Sequence, residues 1–241
     1  SRRFSSEGID SPKWKLLVKG QTIFWWSLRS LRQYSDAGAN FIFIARRDHA
    51  GSSFINNQAT LLHIPRWKIL EIDGVTQGQA ATVMAGVSLL PPDKPIAIYN
   101  IDTHVNPDSL PLPPSCCDGW IPYFHAPPGS WSYLKTRPDG TVTEVAEKRA
   151  ISTKASIGFY YFKSMAAYEA AYKSSDRSSA AERYVAPLYN SLIRRGARVL
   201  GHEVPVCAVI PLGTPAEVDL VDPGWRSVHG RAAVTPDNSS I

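Results

Sequence analysis

Apolar residues first recur at helical spacing at Phe24, Leu28 and Leu31, behind Thr22, whose hydroxyl suits a helix N-cap. Trp25 and Trp26 widen that face, and Gly38 marks the exit. Residues 40–45 and 67–72 read as buried strands, the second ending at Asp73-Gly74. A helix opens near Thr76, a candidate cap, and runs to about residue 90. The next stretch, residues 95–104 (Pro-Ile-Ala-Ile-Tyr-Asn-Ile-Asp-Thr-His), starts as a strand buried on both faces and stops at a carboxylate. An ionised Asp is costly inside a core, so Asp102 belongs at the carboxyl edge of the sheet, where open α/β sheets bind ligands.

The rhythm then changes. Residues 118–124 form a strand interrupted by Pro122, and residues 131–135 and 141–145 alternate on either side of the turn Pro138-Asp139-Gly140. This is a hairpin excursion. Residues 155–162 read as one strong strand, in which Gly158 signals close approach of a ligand or of another backbone. Helices follow at 165–172 and 182–195, the second closed by Gly196, and residues 206–210 make a last strand. The expected fold is α/β: one domain over residues 1–222, with a mixed, mostly parallel sheet flanked by helices, and a polar tail over 223–241. The opening residues read as a polar loop with no strand before them, so a native first strand is expected to be missing from this chain.

Composition narrows the function. The 241 residues are 44% hydrophobic, enough for a full core, and no window approaches a membrane span. No signal-peptide pattern occurs. Three cysteines without a CxxC suggest neither a zinc ribbon nor a disulfide framework, and a reducing cytoplasm is the expected setting. A net charge of +5 and a pI near 9.1 favour anionic ligands. The basic residues are scattered and no RNA-recognition signature occurs, so phosphorylated small molecules are expected as partners rather than nucleic acid or membrane.

Several separated motifs together resemble the sugar-nucleotide pyrophosphorylases, nucleoside-triphosphate transferases with a Rossmann-like GT-A fold. Ser1-x-Arg3-Phe4 is similar to the end of the family's glycine-rich loop, and Pro12-Lys13 to the pair that follows it. Gly78-Gln79-Ala80 resembles the nucleotide-contacting segment, and Asn100-Ile101-Asp102 the strand end that binds Mg²⁺. Glu147-Lys148 and Gly158-Phe159-Tyr160 resemble the sugar-phosphate pocket, and Gly213-Thr214-Pro215 the closing segment. The likeness runs through nearly the whole chain, in the family's order. One departure matters: where the family commonly has a second metal-binding Asp, two residues before the closing Gly-Thr, this chain has Pro211. His104, Glu217 and Asp219 are the substitutes considered.

The resemblance implies attack by a phosphate monoester oxygen on the α-phosphorus of a nucleoside triphosphate, with pyrophosphate leaving. Arg3, Lys13 and Asp102 are the expected catalytic residues. Ser1, Gly78, Gln79 and Asp102 would bind the nucleotide, while Glu147, Lys148 and Gly158 would bind the acceptor phosphate. Mg²⁺ or Mn²⁺ would sit on Asp102, with His104 as a further ligand. Two rival readings stand beside this one. Asp102-Thr103-His104 reads as a D-x-H variant of the metal site of a GT-A glycosyltransferase. The Pro211 departure suits a nucleotide-binding domain that has lost its chemistry.

Overall fold

The computed structural model describes residues 2–9, 11–175 and 182–229. The chain opens with a single helical turn, α1 (Arg2–Ser5), a 3-10 turn at Lys13–Lys15, and a small ribbon of β1 (Leu17–Val18) and β2 (Gln21–Thr22). Helix α2 (Ile23–Arg29) begins where expected, because the Thr22 hydroxyl accepts the Trp25 N–H at 3.1 Å. Phe24, Leu28 and Leu31 are buried, as their spacing requires. Then come α3 (Arg32–Asp36), β3 (Phe41–Arg46), α4 (Ser52–Leu61) and β4 (Trp67–Ile72). β3 and β4 pair in parallel, joined through α4.

Helix α5 (Gln79–Ala85) is shorter than expected, because Gly86 breaks it into a 3-10 turn at Val87–Leu89. Its cap position is Gly78. The Thr76 hydroxyl instead donates to the Gly78 carbonyl at 3.1 Å. β5 (Ile96–Tyr99) leads through the turn containing Asp102 into β6 (Thr103–Val105). β7 (Gly119–His125) is followed by the expected hairpin, β8 (Ser132–Thr136) and β9 (Val142–Glu147). The single strand expected over 155–162 is two, β10 (Lys154–Ser156) and β11 (Phe159–Phe162), separated where Gly158 turns left-handed at φ 81°.

Helix α6 (Met165–Ser174) is capped by Ser164, whose hydroxyl accepts the Ala167 N–H at 3.1 Å. The helix expected from 182 starts only at α7 (Tyr189–Arg194), after a 3-10 turn that holds Pro187. β12 (Val199–Glu203) was not anticipated. The strand expected over 206–210 is a 3-10 turn followed by β13 (Val209–Pro211). Helices α8 (Pro215–Val221) and α9 (Trp225–His229) close the described chain.

A seven-stranded sheet runs β5-β11-β7-β10-β8-β9, with β12 added beside β7. It is mixed, as expected, but the parallel pairings among the described strands are β3–β4 and β7–β12. The strands after Asp102 are joined mostly by short returns rather than by crossover helices, and short returns give antiparallel pairs. Apolar side chains gather in three clusters. Two lie on the sheet and include Trp120, Phe159, Tyr160 and Phe162. A third joins Phe4, Leu16, Val18 and Ile23 to Leu212, Val218 and Trp225, so it unites the two ends of the chain. Trp225 is 1% exposed and meets Phe4 edge-to-face at 5.7 Å. The polar tail expected from residue 223 therefore begins with a packed turn of helix.

Candidate functional site

The apolar run of β5 ends at Tyr99, and the turn after it presents Asp102 at the sheet edge. Its backbone is pinned by the Leu212 N–H, which donates to the Asp102 carbonyl at 2.8 Å. Its carboxylate accepts a charged hydrogen bond from the Lys13 ammonium, 89 residues away in sequence. Gly213 sits against the same carboxylate. A Cβ there would lie 3.1 Å from Asp102 Oδ2 and 3.4 Å from Glu217 Oε2. The bare backbone of Gly213 thus lets two carboxylates approach one point. Glu217 stands in the first turn of α8, whose cap is Thr214.

The other substitutes for the Pro211 position lie elsewhere. His104 is buried, its ring edge-to-face with Trp26 at 5.0 Å and its Nδ1 2.8 Å from the Trp26 carbonyl. Burial lowers its pKa, outweighing that carbonyl contact, which raises it. No described contact brings it to the Asp102 carboxylate, so the D-x-H metal site is not assembled here. The reason is local: β6 turns Thr103, His104 and Val105 into the interior against α2. Asp219 is tied up by Trp225 Nε1 at 2.7 Å and by the Arg226 guanidinium at 2.7 and 3.0 Å. Ser1 and the side chain of Arg3 lie outside the described residues.

Beside Asp102 opens a cleft of about 920 Å³. Its walls include β3, Thr76 to Gln79, Tyr99, Ile101 and Glu182. Trp14 and Ile101 line it, and Lys13 and Asp102 are their immediate neighbours in the chain. β3 and β5 each present an edge without a strand partner among the described residues, and residues of β3, with Tyr99 at the end of β5, line this cleft. Gln79 is held in place by its amide, which donates to the Asn100 Oδ1 at 2.6 Å. Asn100 in turn packs on Gly158, where a Cβ would fall 2.5 Å from Asn100 Nδ2. Gly158 is thus needed for close approach, but the group approaching it is Asn100. Gly78 has φ 114°, and a Cβ there would lie 2.6 Å from the Arg183 carbonyl oxygen.

Of the residues expected on the acceptor side, Glu147 ends β9 and Lys148 follows it, whereas Gly158 lies between β10 and β11. Glu147 accepts a hydrogen bond from the Ser132 hydroxyl, and the Tyr160 hydroxyl bonds Ser132 Oγ at 3.1 Å. Burial raises the Glu147 pKa, against the lowering by Ser132 and by the Lys148 charge. Burial likewise pushes Tyr160 up to about 12. Lys148 adopts φ 54°, rare for a residue with a side chain. Its ammonium bonds the Tyr184 hydroxyl. Glu182, Tyr184, Ser132 and Asn100 touch or neighbour these expected residues, and sequence reasoning did not assign them as site residues. Only Asn100 carried a signal, as the residue two before Asp102 at the strand end.

The arrangement offers a cation, two convergent carboxylates, a glycine-opened helix start and a second cation beyond. That set suits polyphosphate and a divalent metal. Oxygen donors from one or two carboxylates, completed by water and phosphate, are what Mg²⁺ takes. Asp102 and Glu217 fit that requirement, although no group of three or more metal-ligating side chains occurs among the described residues.

Comparison of the sequence with family models and with curated proteins finds no match. Solved structures do match. The inositol-1-phosphate CTP transferase from T. maritima is 12% identical, with 93% of this chain and 91% of that one covered at a TM-score of 0.73. A candidate glucose-1-phosphate thymidylyltransferase from Bacillus anthracis is 14% identical, with 90% and 87% covered at 0.70. At such identities these two speak for the fold. The nucleoside-diphosphate-sugar pyrophosphorylase from Vibrio cholerae RC9 is 33% identical, with 90% of this chain and 93% of that one covered at a TM-score of 0.81. Identity at that level, sustained over nine-tenths of both chains on one shared fold, makes this chain a member of the nucleoside-diphosphate-sugar pyrophosphorylase family.

Proposed function

We propose that the protein is a nucleotidyltransferase that couples a nucleoside triphosphate to a sugar 1-phosphate or a similar phosphate monoester and releases pyrophosphate. The observation that carries this reading is the ion pair of Lys13 with Asp102, whose chain neighbours Trp14 and Ile101 line the cleft bordered by Gly78 and Gln79. The membership of the family supports it.

Phosphoryl and nucleotidyl transfers ask little covalent chemistry of a protein. They ask for in-line positioning and neutralisation of crowded negative charge. In this reading the triphosphate lies in the cleft, with its base or ribose against Gly78 and Gln79. Lys148 binds the phosphate of the acceptor, and Glu147 orders an acceptor hydroxyl. An acceptor phosphate oxygen attacks the α-phosphorus, the bond from that phosphorus to the bridging oxygen breaks, and pyrophosphate leaves. Lys13, released from Asp102, stabilises the charge that builds on the α-phosphate and the leaving group. Arg3 is given the same role, and Ser1 a nucleotide contact, on the resemblance alone. Asp102 and Glu217 would hold Mg²⁺ (or Mn²⁺), which supplies charge neutralisation and orientation of phosphate oxygens.

Among the described residues no helix is long and apolar enough to cross a membrane. A cytoplasmic setting, where triphosphates are made, fits the reading. The test is pyrophosphate release when the protein is incubated with each common triphosphate, a hexose 1-phosphate or phospho-alcohol, and Mg²⁺. Release that needs both substrates is expected. Triphosphate binding that is indifferent to Mg²⁺ and to Asp102→Asn, with no pyrophosphate from any pair, would overturn it in favour of a non-catalytic nucleotide-binding domain.

A further inference from the structure

The reaction above gives Lys148 a task but leaves its surroundings unexplained. Its ammonium donates to the Tyr184 hydroxyl and lies 4.5 Å from the centroid of that ring. The Tyr184 hydroxyl donates onward to Glu182. Glu182 itself stays 3.8 Å from the Lys148 nitrogen, beyond hydrogen-bond reach. Tyrosine, rather than the carboxylate, is therefore the group that fixes the ammonium.

Residues 182–184 are held on two other sides. Their backbone bonds the nucleotide loop: the Arg183 N–H donates to the Gln77 carbonyl at 2.5 Å, and the Arg183 carbonyl accepts the Ala80 N–H at 3.0 Å. A Cβ at Gly78 would strike this backbone. The Arg183 guanidinium anchors the segment to α6, donating to the Tyr172 carbonyl at 2.7 Å and to Ser175 Oγ at 2.6 Å, and stacking 3.5 Å from the Tyr172 ring centroid. One three-residue strap thus touches the loop that borders the nucleotide and the lysine that faces the acceptor.

We propose that Tyr184 is a positioning residue for the acceptor phosphate, holding the Lys148 ammonium at a distance from the nucleotide loop that the backbone of residues 182–184 sets. The proposal rests on the reading of Lys148 as the acceptor-phosphate ligand. An ammonium has three N–H donors. One is spent on Tyr184, and two are left, already oriented, for phosphate oxygens. Without the hydroxyl, a flexible four-carbon stem must be ordered when phosphate binds. The Lys148 and Glu182 side chains are about half exposed, so this cluster contributes little to holding the fold together.

The experiment titrates inorganic phosphate calorimetrically into protein preloaded with the α,β-methylene analogue of whichever triphosphate binds most tightly. The proteins are the wild type, Tyr184→Phe, Lys148→Ala and the double variant. Tyr184→Phe is expected to weaken phosphate about three- to tenfold, to leave the affinity for the triphosphate analogue and the unfolding temperature unchanged, and to add nothing in the Lys148→Ala background. Failure of phosphate to bind the wild type, or a Lys148→Ala variant that binds it normally, overturns the reading of Lys148 and this proposal with it. Lys148→Ala weakening phosphate while Tyr184→Phe does not overturns this proposal alone. So does a Tyr184→Phe effect that persists undiminished without Lys148, or one that falls equally on the triphosphate analogue.

Discussion

The side chains at this site owe their use to where the backbone halts them. Asp102 follows an apolar strand by three residues and is pinned by Leu212, so its carboxylate meets Lys13 and lies against Gly213, which Glu217 also approaches, without entering the core. Asp102→Asn keeps the shape and removes the charge. Turnover is expected to fall about 10²–10³-fold, the range seen when one preorganised electrostatic group is lost. The thermal midpoint should hardly move, because the pair is part-exposed. Steady-state pyrophosphate release and a melting curve measure the two. Glu147 behaves differently. Its pKa is raised by burial above the ordinary 4.5, so between that value and the folded value the native state holds more protons than the unfolded chain. Stability then falls as pH rises through that window. Glu147→Gln should flatten this part of the profile of unfolding free energy against pH, and an unchanged slope would refute the assignment.

Elements were legible in the sequence where local pattern decides them. The strand over 67–72 and the hairpin about Pro138-Asp139-Gly140 stand as expected, because alternation, apolar runs and turn residues are local signals. Helix α2 belongs here too, and its start rests on one hydroxyl. Thr22→Ala removes the bond to the Trp25 N–H and another to Gln58 at 3.0 Å. A loss of about 1 kcal/mol is expected, or about 2–4 °C in the thermal midpoint for a chain of this length, with activity at 25 °C preserved. β12 was not legible, since Gly201 and His202 interrupt any apolar run and its pairing is set by β7, about 80 residues earlier. The break at Gly158 depends on Asn100 pressing against it, again a contact between distant residues. The site divides the same way. Lys13 and Asp102 stood out by motif and by strand end. Glu182 is an exposed and Tyr184 a part-buried polar residue, neither with any periodicity, and they acquire meaning only when residues 182–184 cross Gly78.

At the scale of the whole molecule, the first and last described segments pack on one another. The Leu17 N–H donates to His229 Nε2 at 2.8 Å, the Lys19 N–H to Asp222 Oδ2 at 2.7 Å, and Arg226 pairs with Glu7. These exposed bonds are modest, and the main contribution comes from Trp225, buried among Phe4, Leu16, Val218 and Leu212. Leu212 is also the residue whose backbone N–H pins the Asp102 backbone, so packing of the C-terminal helices and placement of Asp102 share one residue. Trp225→Ala is expected to cost about 3–5 kcal/mol in guanidinium unfolding. It should also lower kcat/KM in protein that is still folded, because Leu212 loses its backing. Trp225→Phe, which restores an aromatic ring to the same space, should recover most of both losses. A Trp225→Ala variant within about 0.5 kcal/mol of wild type, the range of an ordinary surface change, would show that residues after Asp222 are a tail after all. A stability loss with unaltered kcat/KM would keep the packing but cut its link to Asp102.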